Sequence, residues 1–156
     1  QMYDISLRYR EPPLLAMNRK GRFEKADAGS NVPVAGRGAA FGDLNNDGWT
    51  DVIATSLGEA PQCYLNRGGK LHWLTITLRG KRSNRDGFGA RVQVNSQTRF
   101  ATAAGSYLSS NDKRLHFGLG SAETADVEIR WPSGIMQALR GVKADQFIVI
   151  EESAQT

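Results

Sequence analysis

Hydrophobic and polar residues alternate along most of the second half of this chain, and this period of two is its most restrictive feature. Successive side chains of a β-strand point to opposite faces, whereas an amphipathic helix repeats every ~3.6 residues. The alternating segments span residues 72–79, 90–95, 114–119, 126–131 and 146–151. Helix is expected only as a single turn near residues 142–145. The pattern therefore predicts an all-β fold, either a sandwich or a propeller.

The composition limits the class of protein. The 156 residues are 40% hydrophobic and 23% charged, which is ordinary for a globular protein. The lone cysteine, Cys63, excludes an internal disulfide and a multi-cysteine zinc site. No apolar run reaches the roughly 20 residues of a membrane span, and the first residues lack the basic and apolar regions of a signal peptide. No membrane span is expected, and the sequence carries no targeting signal.

The charge is mildly basic, with a net value of +4 from 20 basic and 16 acidic residues. Such a chain can bind nucleic acid or an anionic surface, but its basic residues are scattered. Their densest stretch, residues 79–85, adjoins Asp86 and is better explained as a solvated turn between strands. No nucleic-acid partner is expected.

An internal repeat occupies the first half of the chain. Residues 13–23, PLLAMNRKGRF, align with residues 61–71, PQCYLNRGGKL, and Asp4 aligns with Asp51. The spacing of about 48 residues is that of a propeller blade. Because only three residues precede Asp4, the first copy lacks its opening strand, which would leave neighbouring backbone groups unpaired. We therefore expect a missing N-terminal propeller or a neighbouring subunit to supply strands.

An acidic loop, DLNNDGWTD, covers residues 43–51. Calcium takes about six to eight oxygen ligands, which alternating carboxylates and amides deliver around a tight turn. The predicted ligands are the side chains of Asp43, Asn45, Asp47 and Asp51 and the backbone carbonyl of Trp49. Gly48 permits the turn that wraps the loop around the ion. The sequence therefore predicts a Ca²⁺ site.

This loop differs from an EF-hand, because Ala54 occupies the twelfth position, where an EF-hand has glutamate, and the flanks look like strands. It is instead predicted to close a β-hairpin. A solvated turn that binds nothing is the alternative, since Asn and Asp favour turns in any case. Magnesium fits less well, because it retains its waters and demands a stricter octahedron.

Motifs in both halves of the chain resemble known families. Residues 38–43, GAAFGD, with the acidic loop and residues 51–53, DVI, resemble an FG-GAP (VCBS) blade of the kind found in integrin-type propellers. The motifs NRDGFGARV, LHFGLG and IRWPSG resemble, in this order, the ASPIC and UnbV domain, and they lie at residues 84–92, 115–120 and 129–134. The resemblance implies a secreted, calcium-binding propeller followed by a β-rich module.

No catalytic signature accompanies the reactive side chains. His72 and His116 lie in strand patterns, and no Ser, Cys or carboxylate is tied to either by a known motif. Cys63 is expected to be a small buried apolar residue rather than a nucleophile. Residues 36–42 are glycine-rich, but their spacing is not that of a phosphate loop and no helix follows. The chain is therefore predicted not to be an enzyme.

Aromatic residues suggest a second binding function. A platform for stacking on sugars would draw on Trp49, Trp73, Trp131 and Tyr107. Trp73 and Trp131, however, alternate within strands and are expected to be buried or half-buried. A carbohydrate-binding module is accordingly the alternative to a calcium-dependent structural module.

The predicted organisation is a set of partial FG-GAP-like blades with the calcium loop at 1–70, an ASPIC/UnbV-like sandwich of seven strands at 71–152 and a tail at 153–156. The predicted function is a secreted, extracellular or periplasmic, non-catalytic structural and adhesive module that binds Ca²⁺ within a larger protein or assembly. Its expected partners are a protein or a glycan. An accessory module tethered to an enzyme, and a subunit completed by a neighbour's strand, are the alternatives.

Overall fold

The computed structural model describes residues 9–154, which form twelve strands in four sheets and no helix. The strands are β1 Leu15–Arg19, β2 Arg22–Ala26, β3 Gly36–Gly42, β4 Asp51–Ser56, β5 Gln62–Tyr64, β6 His72–Arg79, β7 Arg91–Val94, β8 Gln97–Phe100, β9 Leu115–Gly120, β10 Thr124–Arg130, β11 Met136–Lys143 and β12 Gln146–Glu151. The predicted all-β class is confirmed. The helical turn expected near 142–145 is wrong, because β11 extends to Lys143 and a short connection leads directly into β12. A membrane-spanning helix is likewise not found among the described residues.

The seven strands from β6 to β12 form two sheets that share one core. The four-stranded sheet has the order β11-β10-β7-β8, and each neighbouring pair is antiparallel. The three-stranded sheet has the order β12-β6-β9, in which β12 runs parallel and β9 antiparallel to β6. Buried residues of both sheets belong to a single hydrophobic cluster, which is how the two faces of a β-sandwich pack.

The period of two explains which side chains enter this core. In β7 and β10 every second residue is buried, and the buried residues are Val92, Val94, Ala125, Val127 and Ile129. In β6, by contrast, consecutive residues from Trp73 to Ile76 are buried. This strand is central in its sheet, and on its outer face Trp73 lies against Gly48 of the first half of the chain and Thr75 against His116.

The buried carboxylate of Glu152 fastens the end of β12 to the turn that follows β6. One of its oxygens accepts hydrogen bonds from the backbone N–H groups of Lys81, Arg82 and Ser83, at 2.7, 2.8 and 2.7 Å. Hydroxyls of Ser83 and Ser133 donate to its other oxygen. Burial by itself raises the pKa of Glu152, but these hydrogen bonds outweigh it and lower the pKa to about 2.

The first half of the described chain forms a small sheet and a separate hairpin. Strands β3, β4 and β5 form an antiparallel meander in the order β3-β4-β5. A propeller blade typically has four strands, and none of the described sheets closes on itself. The propeller-like arrangement and the division of the chain near residue 70 therefore stay predictions.

The hairpin of β1 and β2 lies outside the hydrophobic core formed by residues 9–154. Its apolar residues Leu15, Met17 and Phe23 are 42%, 43% and 71% exposed. In the second copy of the repeat, the chain instead runs from β5 through residue 71 into β6 of the sandwich. Asp4, which the internal repeat aligns with Asp51, lies outside the described residues.

Candidate functional site

The acidic loop connects two antiparallel strands, as the sequence predicts. Strand β3 ends at Gly42, β4 begins at Asp51, and these two residues pair across the ladder. The register therefore places Asp43, the first residue of the loop, beside the residue that ends it. Both aspartates are buried, with 8% of Asp43 and 1% of Asp51 exposed.

The carboxylate of Asp43 organises the turn from inside. Its Oδ1 accepts a hydrogen bond from the backbone N–H of Asp47 at 3.1 Å, and its Oδ2 accepts one from Gly48 at 2.8 Å. Asn46 and Gly48 have φ angles of 57° and 91°, so the backbone curls in the left-handed region at two positions. The loop is therefore wrapped around the carboxylate of its own first residue.

The carboxylate of Asp51 joins the loop to the segment that follows β5. Its Oδ2 accepts a hydrogen bond from the N–H of Leu44 at 2.9 Å, and its Oδ1 accepts one from Asn66 at 2.7 Å. Asn66 belongs to the Asn-Arg pair that recurs in the internal repeat. The predicted metal ligand Asp51 thus also ties the repeat motif to the loop.

The middle of the loop is more exposed. The side-chain amide of Asn45 donates to Oδ2 of Asp47 at 2.7 Å, and Oδ1 of Asp47 accepts from the N–H of Trp49 at 2.9 Å. The Trp49 indole packs on Gly68, where a Cβ atom would stand 2.5 Å from Nε1. All five predicted ligand positions therefore lie in one hairpin loop, and the carboxylates of Asp43 and Asp47 accept hydrogen bonds from the loop itself.

The donor set can be tested for its fit to calcium. Three carboxylates and one amide supply only oxygen ligands, and a carboxylate oxygen that accepts an N–H retains a second lone pair. Within residues 9–154 none of the three carboxylates forms an ion pair. The described side chains include no group of three or more His, Cys, Asp or Glu placed to hold one ion. The donor atoms are of the kind that Ca²⁺ prefers. The described side chains do not, however, converge on a single point.

Arg114, immediately before β9, connects the acidic loop to the sandwich. Its guanidinium donates to the backbone carbonyl of Asp43 and to the side chain of Asn46, at 2.7 Å each. The same group forms an ion pair of 2.6 Å with Asp112. The sequence did not predict this role, because Arg114 lies 68 residues from Asn46 and belongs to no local motif.

A second connection runs along the outer edge of β3. The backbone N–H of Phe41 donates to the Asn111 side chain at 3.0 Å, and its carbonyl accepts from the N–H of Asp112 at 2.9 Å. Segment 111–114 therefore contacts both the strand that leads into the acidic loop and the loop itself.

The two histidines have structural partners. Nδ1 of His72 lies 2.6 Å from Oδ2 of Asp145, and this hydrogen bond lowers the pKa of the Asp145 carboxyl. Nδ1 of His116 lies 3.2 Å from the Thr75 hydroxyl. Burial, with Arg99 nearby, lowers the pKa of His116. Among residues 9–154 neither histidine is bonded to a serine or cysteine, and the one hydroxyl that contacts a histidine is that of Thr75.

The predicted burial of Cys63 is wrong, whereas that of Trp73 and Trp131 is confirmed. Cys63 is exposed because β5 is an edge strand of an open sheet. Trp73 and Trp131 are buried, with 8% and 1% exposed, as their place in the strands indicates. Their burial means that the four aromatic residues considered for sugar stacking do not form a common platform; of these, Tyr107 is 68% exposed.

The family resemblance predicted from the motifs is confirmed. Residues 35–72 match the FG-GAP repeat, and residues 80–156 match the family described as ASPIC and UnbV. The acidic loop lies in the first match and Arg114 in the second. The hydrogen bonds between them therefore join two separately recognised regions.

The chain is also similar to curated proteins that share one name. The chain is 29% identical over 152 residues to cartilage acidic protein 1 of Xenopus tropicalis, with 86% of this chain and 23% of the relative covered. The proteins of the same name from Homo sapiens and Mus musculus are 29% and 32% identical, with 82% and 72% of this chain covered. The chain spans only about a fifth of the length of these relatives, 23%, 21% and 19%.

Proposed function

This chain joins an FG-GAP repeat to an ASPIC and UnbV region, and on that premise we propose that it is a non-catalytic, extracellular structural and adhesive segment whose hairpin loop binds Ca²⁺. One observation carries the proposal: Asp43 and Asp51 are buried, yet neither has a basic side-chain partner within residues 9–154. A buried carboxylate without a counter-ion is costly, and a bound cation offsets that cost.

The loop already holds part of its structure without the ion. Backbone N–H groups fix the carboxylates of Asp43 and Asp51, which leaves further lone pairs of their oxygens for a cation. Asn45 and Asp47 are linked to each other and would exchange that hydrogen bond for the ion. The ion would therefore draw together two side chains in the exposed middle of the loop and two at its buried base.

Calcium at this place would stiffen the junction between the two halves. The loop contacts the sandwich through Arg114, which bonds to Asp43 and Asn46, and through Gly48, which lies against Trp73. An ion that fixes the loop would thus fix the small β3-β4-β5 sheet relative to the sandwich. This is a structural role, in which binding free energy becomes folding free energy.

Location outside the cell and adhesion are supported by the relatives. Their name, cartilage acidic protein, refers to a tissue rich in extracellular matrix, and FG-GAP repeats occur in integrin-type propellers. Surface on this chain is also available for assembly, because the β1–β2 hairpin exposes Leu15, Met17 and Phe23. We expect preceding propeller blades or a neighbouring subunit to cover it.

Calorimetric titration of the calcium-depleted chain with Ca²⁺ tests the proposal. We expect one ion to bind per chain, binding to be lost in Asp47→Ala, and Mg²⁺ to compete poorly. Asp27→Ala is the matched control, because Asp27 also accepts a backbone N–H in an exposed turn, that of Gly29, but lies outside the loop. No heat of binding with Ca²⁺, or equal loss in the control, would contradict the proposal.

A further inference from the structure

An open cleft lies where the first half of the chain meets the sandwich. Its volume is about 650 Å³, within the range of roughly 300–1,000 Å³ typical of small-molecule sites. Its lining includes Phe41 of β3, Arg99 of β8 and His116 of β9. Of the predicted calcium ligands only Asp43 adjoins it, so the cleft is a separate feature.

Most of the charged groups around the cleft already have partners. Asp112 and Arg114 form an ion pair, and the carboxylate of Asp43 accepts N–H groups of its own loop. Arg99 is different: its guanidinium lies over the buried Phe117 ring, 5.6 Å from the centroid, and makes no hydrogen bond or ion pair within residues 9–154. The cleft therefore offers one cationic group that is held in place but not neutralised.

A threonine and an exposed aromatic residue border the same cleft. Thr50 lines it, and the Thr50 hydroxyl has no hydrogen bond to the described part of the chain. Phe41 also lines the cleft and is 49% exposed. Sugar rings pack their C–H faces on such aromatic surfaces, and their hydroxyls exchange hydrogen bonds with side-chain hydroxyls.

We propose that this cleft binds an anionic saccharide, in which Arg99 pairs with a sugar carboxylate or sulfate and Phe41 packs against a sugar ring. A guanidinium presents parallel donors that match either oxyanion, which a neutral sugar would leave unused. An inorganic anion would use Arg99 but not the aromatic ring. The Thr75 hydroxyl fixes one nitrogen of His116, which leaves the other for a sugar hydroxyl. The proposal goes beyond the calcium-dependent structural role and does not depend on it.

Calorimetric titration of the full chain with three tetrasaccharide probes tests this inference. The probes are a uronic-acid tetrasaccharide, its sulfated form and its neutral carboxyl-reduced form. We expect one of the two charged probes, or both, to bind one per chain, and the neutral form to bind at least about tenfold more weakly. Preference between the charged probes then distinguishes carboxylate from sulfate as the group that Arg99 recognises.

Matched variants connect the binding to the cleft. Arg99→Gln should weaken it by about tenfold or more, and Phe41→Ala by roughly three- to tenfold, whereas Arg67→Gln, an exposed arginine outside the cleft, should have no effect. Circular dichroism of each variant verifies folding. The proposal is overturned if neither charged probe binds, if Arg67→Gln weakens binding as much as Arg99→Gln, or if a tetraglutamate peptide binds as tightly as the saccharide.

Discussion

Gly48 of the acidic loop lies directly against the indole ring of Trp73 in β6: a Cβ atom on Gly48 would stand 1.9 Å from Cε2 of that ring. The backbone of Gly48 also has a φ of 91°, a left-handed conformation that other residues rarely adopt. The loop and the first strand of the sandwich therefore meet at a point where no side chain fits. This contact gives glycine a second role there, in addition to permitting the turn.

A methyl group added at this contact should destabilise the folded protein. We expect Gly48→Ala to lower the free energy of unfolding by roughly 2–5 kcal/mol, because about 1–2 kcal/mol of backbone strain adds to about 1–3 kcal/mol of overpacking. Urea unfolding followed by tryptophan fluorescence measures the loss. Gly58→Ala is the control, since Gly58 has a φ of 71° and a Cβ atom added there would meet nothing within 4 Å. Equal losses in the two variants would contradict the contact with Trp73.

Removal of the Arg114 guanidinium should uncouple the acidic loop from the sandwich. We expect Arg114→Ala to lower the free energy of unfolding by about 2–4 kcal/mol, because several acceptors lose a charged donor. Hydrogen exchange should then increase in the loop more than in β10. Arg140→Ala, which removes two exposed ion pairs, should cost much less. Unchanged loop exchange in Arg114→Ala would show that Arg114 does not anchor the loop.

Glu152 should make stability depend on acid pH. The pKa of Glu152 is about 2 in the folded protein and about 4.5 for an unperturbed glutamate. A depressed folded pKa contributes stability that is complete above pH ~4.5 and is lost as the pH falls toward ~2. We expect Glu152→Gln to melt at a lower temperature at pH 7 and to lose less stability than the wild type between pH 5 and pH 2.5. The exposed Glu123→Gln serves as control, and a variant as acid-sensitive as the wild type would contradict the prediction.

Calcium should stabilise the folded chain in proportion to its binding. At a free Ca²⁺ concentration one hundred times the Kd, we expect a gain of about 2.7 kcal/mol, measured as a rise in melting temperature that EDTA reverses. Asp47→Ala should melt at the same temperature with and without Ca²⁺. If the wild-type melting curve is identical in Ca²⁺ and EDTA, the loop is a turn that binds no ion.

The strands and the hairpin loop could be predicted because the sequence patterns that specify them extend over only a few residues. Alternation in residues 126–131 predicts which side chains face the core, and Val127 and Ile129 are indeed fully buried. The Asn and Gly residues between 43 and 51 favour a turn whatever surrounds them, and that turn lies between β3 and β4. The motifs of both halves likewise identified the two families later matched.

Contacts between distant segments were decided only by the tertiary structure. Alternation does not reveal which strand lies at the edge of a sheet, so the exposure of Cys63 in β5 could not be foreseen. Arg114 meets Asn46, and Glu152 meets Ser83, across 68 and 69 residues of sequence. The local pattern fixes which face of a strand is apolar, but sheet order and register determine which polar groups come within hydrogen-bonding distance, because those depend on how all the strands pack together.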